Sequence, residues 1–286
     1  MTRSIPEPEF HFDAGVVARI VDEQYPTLRE CEPRRVGAGY DVEVWRIRTD
    51  LVVRLPRRTS AFMFLEREIE HLPAIPQDLP LAVPRLEAVG RASDLLPGPW
   101  FATQYLPGIC GSEATLSECA RGAGDLGVTL ASLHALSTQS LDNVSTRGVP
   151  IEERRAFFDR GLDSVPEGAA RTSRHYFDLA VLAEIDGAEV FLHGDVHRSN
   201  LMVHDGRPSA LIDFGDLGYG DGAGDLGGGI FAIGYAAHHE FLAGYGPISE
   251  ATFARALGWS CYLALRNFLV GDSYALEFLA SLPVGL

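Results

Sequence analysis

Phe191 to Leu226, FLHGDVHRSNLMVHDGRPSALIDFGDLGYGDGAGDL, is the stretch from which the rest of this chain is read. Two short apolar runs, Leu201–Val203 and Ala210–Ile212, flank a polar turn with a glycine, His204 to Pro208, which predicts a β-hairpin. His193-Gly-Asp195 stands before the first run, with Asn200 five residues after the aspartate, and Asp213-Phe214-Gly215 follows the second run. A hairpin brings the entrance of its first strand beside the exit of its second. Asp195, Asn200 and Asp213 are therefore expected to converge at one end of the unit. Two carboxylates and an amide oxygen are hard ligands, suited to magnesium that holds phosphate oxygens.

The same spacing resembles the kinase pattern H-x-D-x-x-x-x-N followed by D-F-G. In that pattern the first aspartate orients the substrate hydroxyl and accepts its proton, while the asparagine and the later aspartate hold metal ions on the nucleotide phosphates. Asp213-Phe214-Gly215 alone would be no more than an acidic turn. The full set, several residue types at two spacings around a strand pair, carries the functional reading.

Upstream, Asp13 to Leu28 has helical apolar spacing, with Asp13 as a cap candidate. Three β-like runs follow, Pro33–Val36, Val42–Ile47 and Leu51–Leu55. Gly37-Ala-Gly39 joins the first two, either as a loop over phosphates or as a plain turn, since the full G-x-G-x-x-G is missing. Arg54 ends the third run, and the next predicted helix, Phe62 to Leu72, carries Glu66 and Glu68. A third-strand cation paired with a helix glutamate is part of the kinase pattern, so Arg54 and Glu68 are the nucleotide-side candidates. The alternative is a surface ion pair.

Arg85–Val89 and Trp100–Thr103 complete an expected five-stranded sheet, with proline-rich Pro73 to Pro84 as a loop. Pro107 and Gly108 then stop the strand, so a hinge is placed at 104–108. In a two-lobed kinase the hinge backbone reads the adenine edge. By position that assigns the Gln104 carbonyl and the Leu106 N–H, with Thr103 small enough to leave room for a base.

Beyond the hinge, Leu116 to Leu136 reads as one amphipathic helix in which His134 is a packed residue. Ser140 to Pro150 reads as loop, and 151–186 as two or three short, charged helices. Gly218 to Gly229 suggests tight turns into a helix starting at Asp225, which either caps that helix or braces the loop at 193–200. Ile230 to Phe241, Ser249 to Val270 and Tyr274 to Leu282 read as helices, with Trp259, Tyr262 and Phe268 as core or cleft wall.

The 286 residues allow one large domain or two modest ones, and 46% hydrophobic content supports a sizeable core. A net charge of −15 argues against a nucleic-acid or anionic-membrane surface and is compatible with a cationic partner. No apolar run approaches the ~20 residues of a membrane span, and MTRSIPEPEF has no signal-peptide core. Cys31, Cys110, Cys119 and Cys261 form no C-x-x-C pair, so a reduced cytoplasmic setting is the default.

With these residues in place, the chain resembles the aminoglycoside phosphotransferase family, which includes macrolide kinases and related small-molecule kinases. The carrying motifs are His193-Gly-Asp195-Val-His197-Arg-Ser-Asn200, Leu211-Ile-Asp213-Phe-Gly-Asp216, Gly220-Asp221 and Asp225-Leu226. Leu51-Val-Val-Arg54-Leu-Pro56 and Trp100 to Gly108 look like that family's third strand and hinge. The resemblance implies an α+β, protein-kinase-like, two-lobed fold: a small N-terminal antiparallel sheet lobe over 1–103, the hinge, and a mainly helical C-terminal lobe over 109–286. It implies Mg2+ and phosphoryl transfer from ATP, or alternatively GTP, to a small-molecule alcohol. Position by position, Asp195 corresponds to the catalytic aspartate, and Asn200 and Asp213 to the metal ligands. Arg54 departs from the lysine of the aminoglycoside-modifying members, and the glycine loop is incomplete.

The acidic balance favours a cationic acceptor such as an aminoglycoside, with Asp159, Asp216, Glu240 and Asp272 as candidate substrate acids. A macrolide or neutral metabolite alcohol is the alternative within the fold, and a nucleotide-binding module without turnover is the alternative outside enzymes. A monomer or homodimer is expected.

Overall fold

The computed structural model describes residues 7–141 and 145–283, and the expected loop at 140–150 lies partly outside the described residues. The described chain divides into two units, the smaller made of 7–77 and 83–107, the larger of 78–82 and 108–283.

The smaller unit opens with α1 (Ala14–Gln24), capped as expected: the Asp13 side chain accepts the Val16 N–H. Strands β1 (Arg34–Ala38), β2 (Val42–Arg48) and β3 (Leu51–Pro56) precede α2 (Phe62–His71), then β4 (Leu86–Gly90) and β5 (Trp100–Gln104). They form one antiparallel sheet in the order β1-β2-β3-β5-β4. Every residue of β3 is buried, so the run is apolar at every position except Arg54 rather than alternating. Val17, Ile20 and Val21 of α1 pack on Trp45, Ile47, Val53 and Trp100, each fully or almost fully buried. Such side chains contribute about 1.5–3 kcal/mol each, and together they hold helix to sheet. Gly37 lies within β1 beside a bulge, and the turn proper is closed by Gly39 N–H donating to the Val42 carbonyl.

The larger unit contains β6 (Ile109–Cys110), α3 (Leu116–Ala120), α4 (Ala123–His134), α5 (Arg155–Leu162), α6 (Glu167–Leu182), β7 (Val190–Leu192), β8 (Leu201–His204), β9 (Arg207–Leu211), β10 (Gly218–Gly220), α7 (Ala223–Ile233), α8 (His238–Tyr245), α9 (Glu250–Phe268) and α10 (Tyr274–Ser281). The predicted hairpin is β8-β9, with β6 added on the β8 side. Its turn uses Asp205 and Gly206, both at positive φ (51° and 72°), which suits the twist of paired strands. Part of the proline-rich segment belongs here: Ala82 pairs in parallel with Ala210, exchanging hydrogen bonds with Ser209 and Leu211.

Several expected helices differ. The stretch Leu116–Leu136 is two helices, broken at Gly122 (φ 97°). The stretch from 230 to 241 is broken at Gly234 (φ 87°), with α7 ending before it and α8 starting after it. In both places the left-handed backbone ends the helical ladder. Within 151–186, α6 runs for 16 residues. Helix α7 begins at Ala223, so Asp225 sits in its first turn and is not its cap.

All eleven residues of α7 are buried. α9 comes close at Gly227: a Cβ there would lie 2.5 Å from the Ala256 carbonyl and 2.6 Å from the Trp259 Cβ. Trp259 is core, as expected, in a cluster with Phe158, Phe177 and Leu265. Among the described residues no helix is long and apolar enough to cross a membrane.

Candidate active site

β7 delivers the chain to His193-Gly-Asp195, and a short 3-10 turn at Arg198–Asn200 feeds it into β8. The backbone between these points is held by buried polar groups. Asp225, fully buried, accepts the N–H of His193 at 2.7 Å on Oδ2 and that of Gly194 at 3.0 Å on Oδ1. Burial would raise its carboxyl, but the His134 hydrogen bond at 3.3 Å and the Gly194 N–H hold it below the ordinary range. Of the two readings of Asp225, the structure supports the brace.

His193 is completely buried. Its Nδ1 accepts the Asp195 N–H at 3.1 Å, so Nε2 carries the proton and donates to the Ile212 carbonyl at 3.1 Å. Both nitrogens are thereby used in one neutral tautomer. Burial lowers the pKa, although Asp225, Asp195 and Asp213 pull the other way. The ring also lies 4.5 Å from that of Phe214, so the H-G-D and D-F-G segments are packed directly together.

The structure brings Asp195 and Asn200 together, and the backbone places Asp213 next after the residue bonded to Asn200. Asn200 donates through Nδ2 to the Asp195 carbonyl at 2.9 Å and to Asp195 Oδ2 at 3.1 Å. The Ile212 N–H donates to the Asn200 carbonyl at 2.9 Å, which sets Asp213 one residue beyond the hairpin's last rung. Asp213 itself has φ 66°, a left-handed conformation that aspartate adopts more readily than most residues and that is often found at functional sites. Arg198 fastens the loop from the other side, donating to Gly111 and Ala114 carbonyls at 3.0 and 2.7 Å.

Two partners of Asp195 were not evident from sequence. His197 donates from Nε2 to Asp195 Oδ2 at 3.0 Å, because its Nδ1 accepts the Ser199 N–H. Arg147, from the loop before α5, donates from Nη2 to Asp195 Oδ1 and from Nη1 to the Val196 carbonyl at 2.8 Å. Burial would raise the Asp195 carboxyl, but Arg147 and His197 outweigh it and hold the group far below its usual value, ionised at any working pH. The only sequence signal for Arg147 was the glycine after it. Gly148 is needed where the loop touches β10, since a Cβ there would lie 2.6 Å from the Tyr219 carbonyl.

In the smaller unit, Arg54 and Glu68 form the expected pair, Nη2 to Oε1 at 2.8 Å, with side chains 7% and 1% exposed. It is a buried pair and not a surface one. Gln104 ends β5 and donates from Nε2 to the Val83 carbonyl at 2.8 Å, and Leu106 follows outside any strand.

The four candidate substrate acids lie on different elements. Asp159 on α5 pairs with Arg174 at 3.3 Å. Asp216 accepts the Ser145 hydroxyl on its carbonyl at 3.3 Å. Asp272 accepts the Tyr274 N–H at 3.0 Å before α10. Glu240 on α8 lines a cavity of about 620 Å³ with Leu116, Tyr235, Tyr274 and Phe278.

Among the described residues no group of three or more His, Cys, Asp or Glu side chains forms a self-contained metal site. The expected set is smaller. Asn200 commits its nitrogen to Asp195, which leaves its side-chain oxygen as the ligand end, and Asp213 adds a carboxylate. One or two such groups completed by substrate phosphates is the usual provision for Mg2+, so the residues fit that ion.

A family model described as "Phosphotransferase enzyme family" matches residues 32–259. A search of curated proteins finds no match. Solved structures with the same fold include the GDP complex of wild-type aminoglycoside 2'-phosphotransferase-IIIa, at 16% identity over 94% of this chain and 98% of that one, TM-score 0.69. Macrolide 2'-phosphotransferase MphH from Brachybacterium faecium matches at 20% identity over 96% and 99%, TM-score 0.61. ADP-bound aminoglycoside phosphotransferase APH(2'')-Ib matches at 19% identity over 94% and 98%, TM-score 0.59.

Proposed function

The chain belongs to the phosphotransferase enzyme family, and from that premise we propose that it moves the γ-phosphoryl group of a nucleoside triphosphate to a hydroxyl of a small cationic molecule of the aminoglycoside type. The observation that carries the reaction is the hydrogen bond from Asn200 Nδ2 to Asp195 Oδ2, which ties the proton-accepting carboxylate to the metal-holding side of the hairpin. Asp195 orients the acceptor hydroxyl and receives its proton. Asn200 and Asp213 would hold Mg2+, which when bound offsets charge on the β and γ phosphates. On the nucleotide side, Arg54 meets phosphate oxygens with its orientation set by Glu68, and the Gln104 carbonyl and Leu106 N–H read the base. ATP is the favoured donor, with GTP as the alternative. GDP, ADP and ATP complexes of the structural relatives support nucleotide dependence.

The net charge of −15 favours the cationic acceptor. Asp159, Asp216, Glu240 and Asp272 are the acids proposed to meet it, Glu240 first because it lines a cavity of suitable size. The competing reading is a macrolide or neutral alcohol, favoured by the aromatic walls of that cavity and by the macrolide phosphotransferase fold match. The test is ADP or GDP release with kanamycin, gentamicin, erythromycin, glucose and glucosamine, each with both nucleotides. Turnover of the amino sugars alone supports the main reading, turnover of erythromycin or glucose alone supports the competitor, and nucleotide binding without turnover of any acceptor excludes catalysis on this panel.

A further inference from the structure

We propose that His134 on α4 and Tyr245 on α8 are positioning residues for the reaction: the Tyr245 hydroxyl fixes the tautomer of His134, His134 fixes the carboxylate of Asp225, and Asp225 sets the backbone from which Asp195 projects. The inference rests on the phosphotransfer reading above. The chain of contacts is continuous. Tyr245 Oη lies 2.8 Å from His134 Nδ1, and His134 Nε2 lies 3.3 Å from Asp225 Oδ2. The same carboxylate takes the His193 N–H on Oδ2 and the Gly194 N–H on Oδ1. His134 is 8% exposed and Asp225 not at all. Glycines bring the two side chains together. A Cβ at Gly127 of α4 would lie 2.1 Å from the Phe241 carbonyl and 2.7 Å from the Tyr245 nitrogen, and one at Gly244 of α8 would lie 2.1 Å from the Gly124 carbonyl, so the helices meet backbone to backbone. The imidazole rests on Gly222, where a Cβ would be 3.1 Å from both Cε1 and Nδ1.

The proton positions follow from the partners. An ionised carboxylate only accepts hydrogen bonds, so His134 carries its proton on Nε2. Burial, with the charges of Asp225 and Asp221, pushes the Tyr245 hydroxyl up to about 12, so it keeps its proton and donates to Nδ1. With the proton moved to Nδ1, a bare Nε2 would face the carboxylate, two acceptors with no hydrogen between them. Tyr245 blocks that state by holding Nδ1 as an acceptor. Asp225 then has three donors on its two oxygens, which fixes the plane of the carboxylate. The consequence is felt at Gly194, which has φ 82° and would place a Cβ 2.1 Å from the Asp216 carbonyl. A backbone this confined passes any turn of the brace to Asp195, the next residue.

The experiment uses the whole chain and the panel acceptor with the highest turnover. Tyr245→Phe keeps the ring and removes the hydroxyl. Its kcat should fall roughly five-fold, about 1 kcal/mol, with acceptor KM and nucleotide Kd unchanged within about two-fold. His134→Leu should fall further, and His134→Gln, whose amide can accept from Tyr245 and donate to Asp225, should recover part of that loss. Because Tyr245 acts through His134, the double variant carrying His134→Leu and Tyr245→Phe should be no slower than His134→Leu alone. Unchanged kcat in a folded Tyr245→Phe, or losses that simply multiply in the double variant, overturns the inference. Where a His134 variant does not fold by circular dichroism, ring ¹⁵N NMR of the wild type decides: a proton on Nε2 alone is expected, and a proton on Nδ1 overturns the inference. The His193 and Gly194 amide resonances should also move in Tyr245→Phe, and unmoved resonances overturn it. Absence of turnover with every acceptor is a different outcome: it removes the phosphotransfer reading, and the two NMR measurements still decide the positioning.

Discussion

The carboxylate of Asp225 holds the backbone of His193 across 32 residues, accepting its N–H at 2.7 Å while the other oxygen takes the N–H of Gly194. Two buried amides thus depend on one anion. Replacing Asp225 by Asn removes the charge and one of the two acceptors, leaving an amide without a partner. Hydrogen bonds to charged groups contribute about 1.5–3 kcal/mol each. Asp225→Asn is expected to lose about 2–4 kcal/mol of stability, read from the urea midpoint.

Acid should weaken the fold before carboxylates begin to titrate. His193 and His238 are both lowered from the ordinary histidine value, chiefly by burial. Each is neutral in the fold and takes a proton more readily when unfolded. The stability they confer is complete above the unfolded pKa of about 6.5 and is lost as pH falls from there toward their folded values. Urea midpoints measured from pH 7.5 to 5 should fall, and His193→Gln should flatten part of that slope while lowering the starting stability. The carboxyls of Asp195 and Asp225 are depressed, so their contribution is present above about pH 4 and is lost only as pH falls further, through their folded values.

The hairpin and its three flanking residues were legible because two short apolar runs, a turn with glycine and motif spacing all agree on one arrangement. The helix breaks were not. Gly122 and Gly127 look alike in sequence, yet Gly122 takes φ 97° and ends a helix, while Gly127 stays helical so that the Phe241 carbonyl can approach within 2.1 Å of where its Cβ would be. Only the packed neighbour distinguishes them. Arg147 was hidden for a related reason. Its target lies 48 residues downstream, and no local period links a loop arginine to an aspartate that the fold brings beside it.

Asp195→Ala is expected to lower kcat by about 10²–10⁴-fold, the usual contribution of a positioned proton acceptor. Nucleotide affinity should stay within a few-fold, because the phosphate-side groups are other residues. Coupled ADP release and a nucleotide titration, run on the same sample, separate the two quantities. Near-normal turnover would remove Asp195 from the mechanism.

The Arg54–Glu68 pair is buried on both sides. Glu68→Ala removes the carboxylate to which Arg54 donates at 2.8 Å, and a hydrogen bond between charged groups contributes about 1.5–3 kcal/mol. The urea midpoint should fall accordingly, and nucleotide Kd should rise as Arg54 loses its orientation. A stable Glu68→Ala with unaltered nucleotide affinity would show that the pair matters to neither.

Gly224→Ala places a methyl 2.1 Å from the Arg147 carbonyl, closer than any real contact. Helix propensity favours alanine by about 1 kcal/mol, but overpacking of this kind costs about 1–3 kcal/mol and moves backbone. The expected outcome is a net loss of stability with a drop in kcat larger than the change in acceptor KM.

Helix α7 has three consecutive glycines at 227–229 and no exposed residue. Each such glycine weakens an isolated helix by about 0.8–1.0 kcal/mol relative to alanine, so this segment has little tendency to coil up by itself. It acquires its shape only when α9 closes over it, and Asp225 can grip the loop at 193–194 only then. Assembly of the chemistry is therefore tied to completion of the larger unit: a partly folded intermediate would retain no residual activity, and amide exchange at His193 and Gly194 should require the same opening event as exchange in the centre of α9.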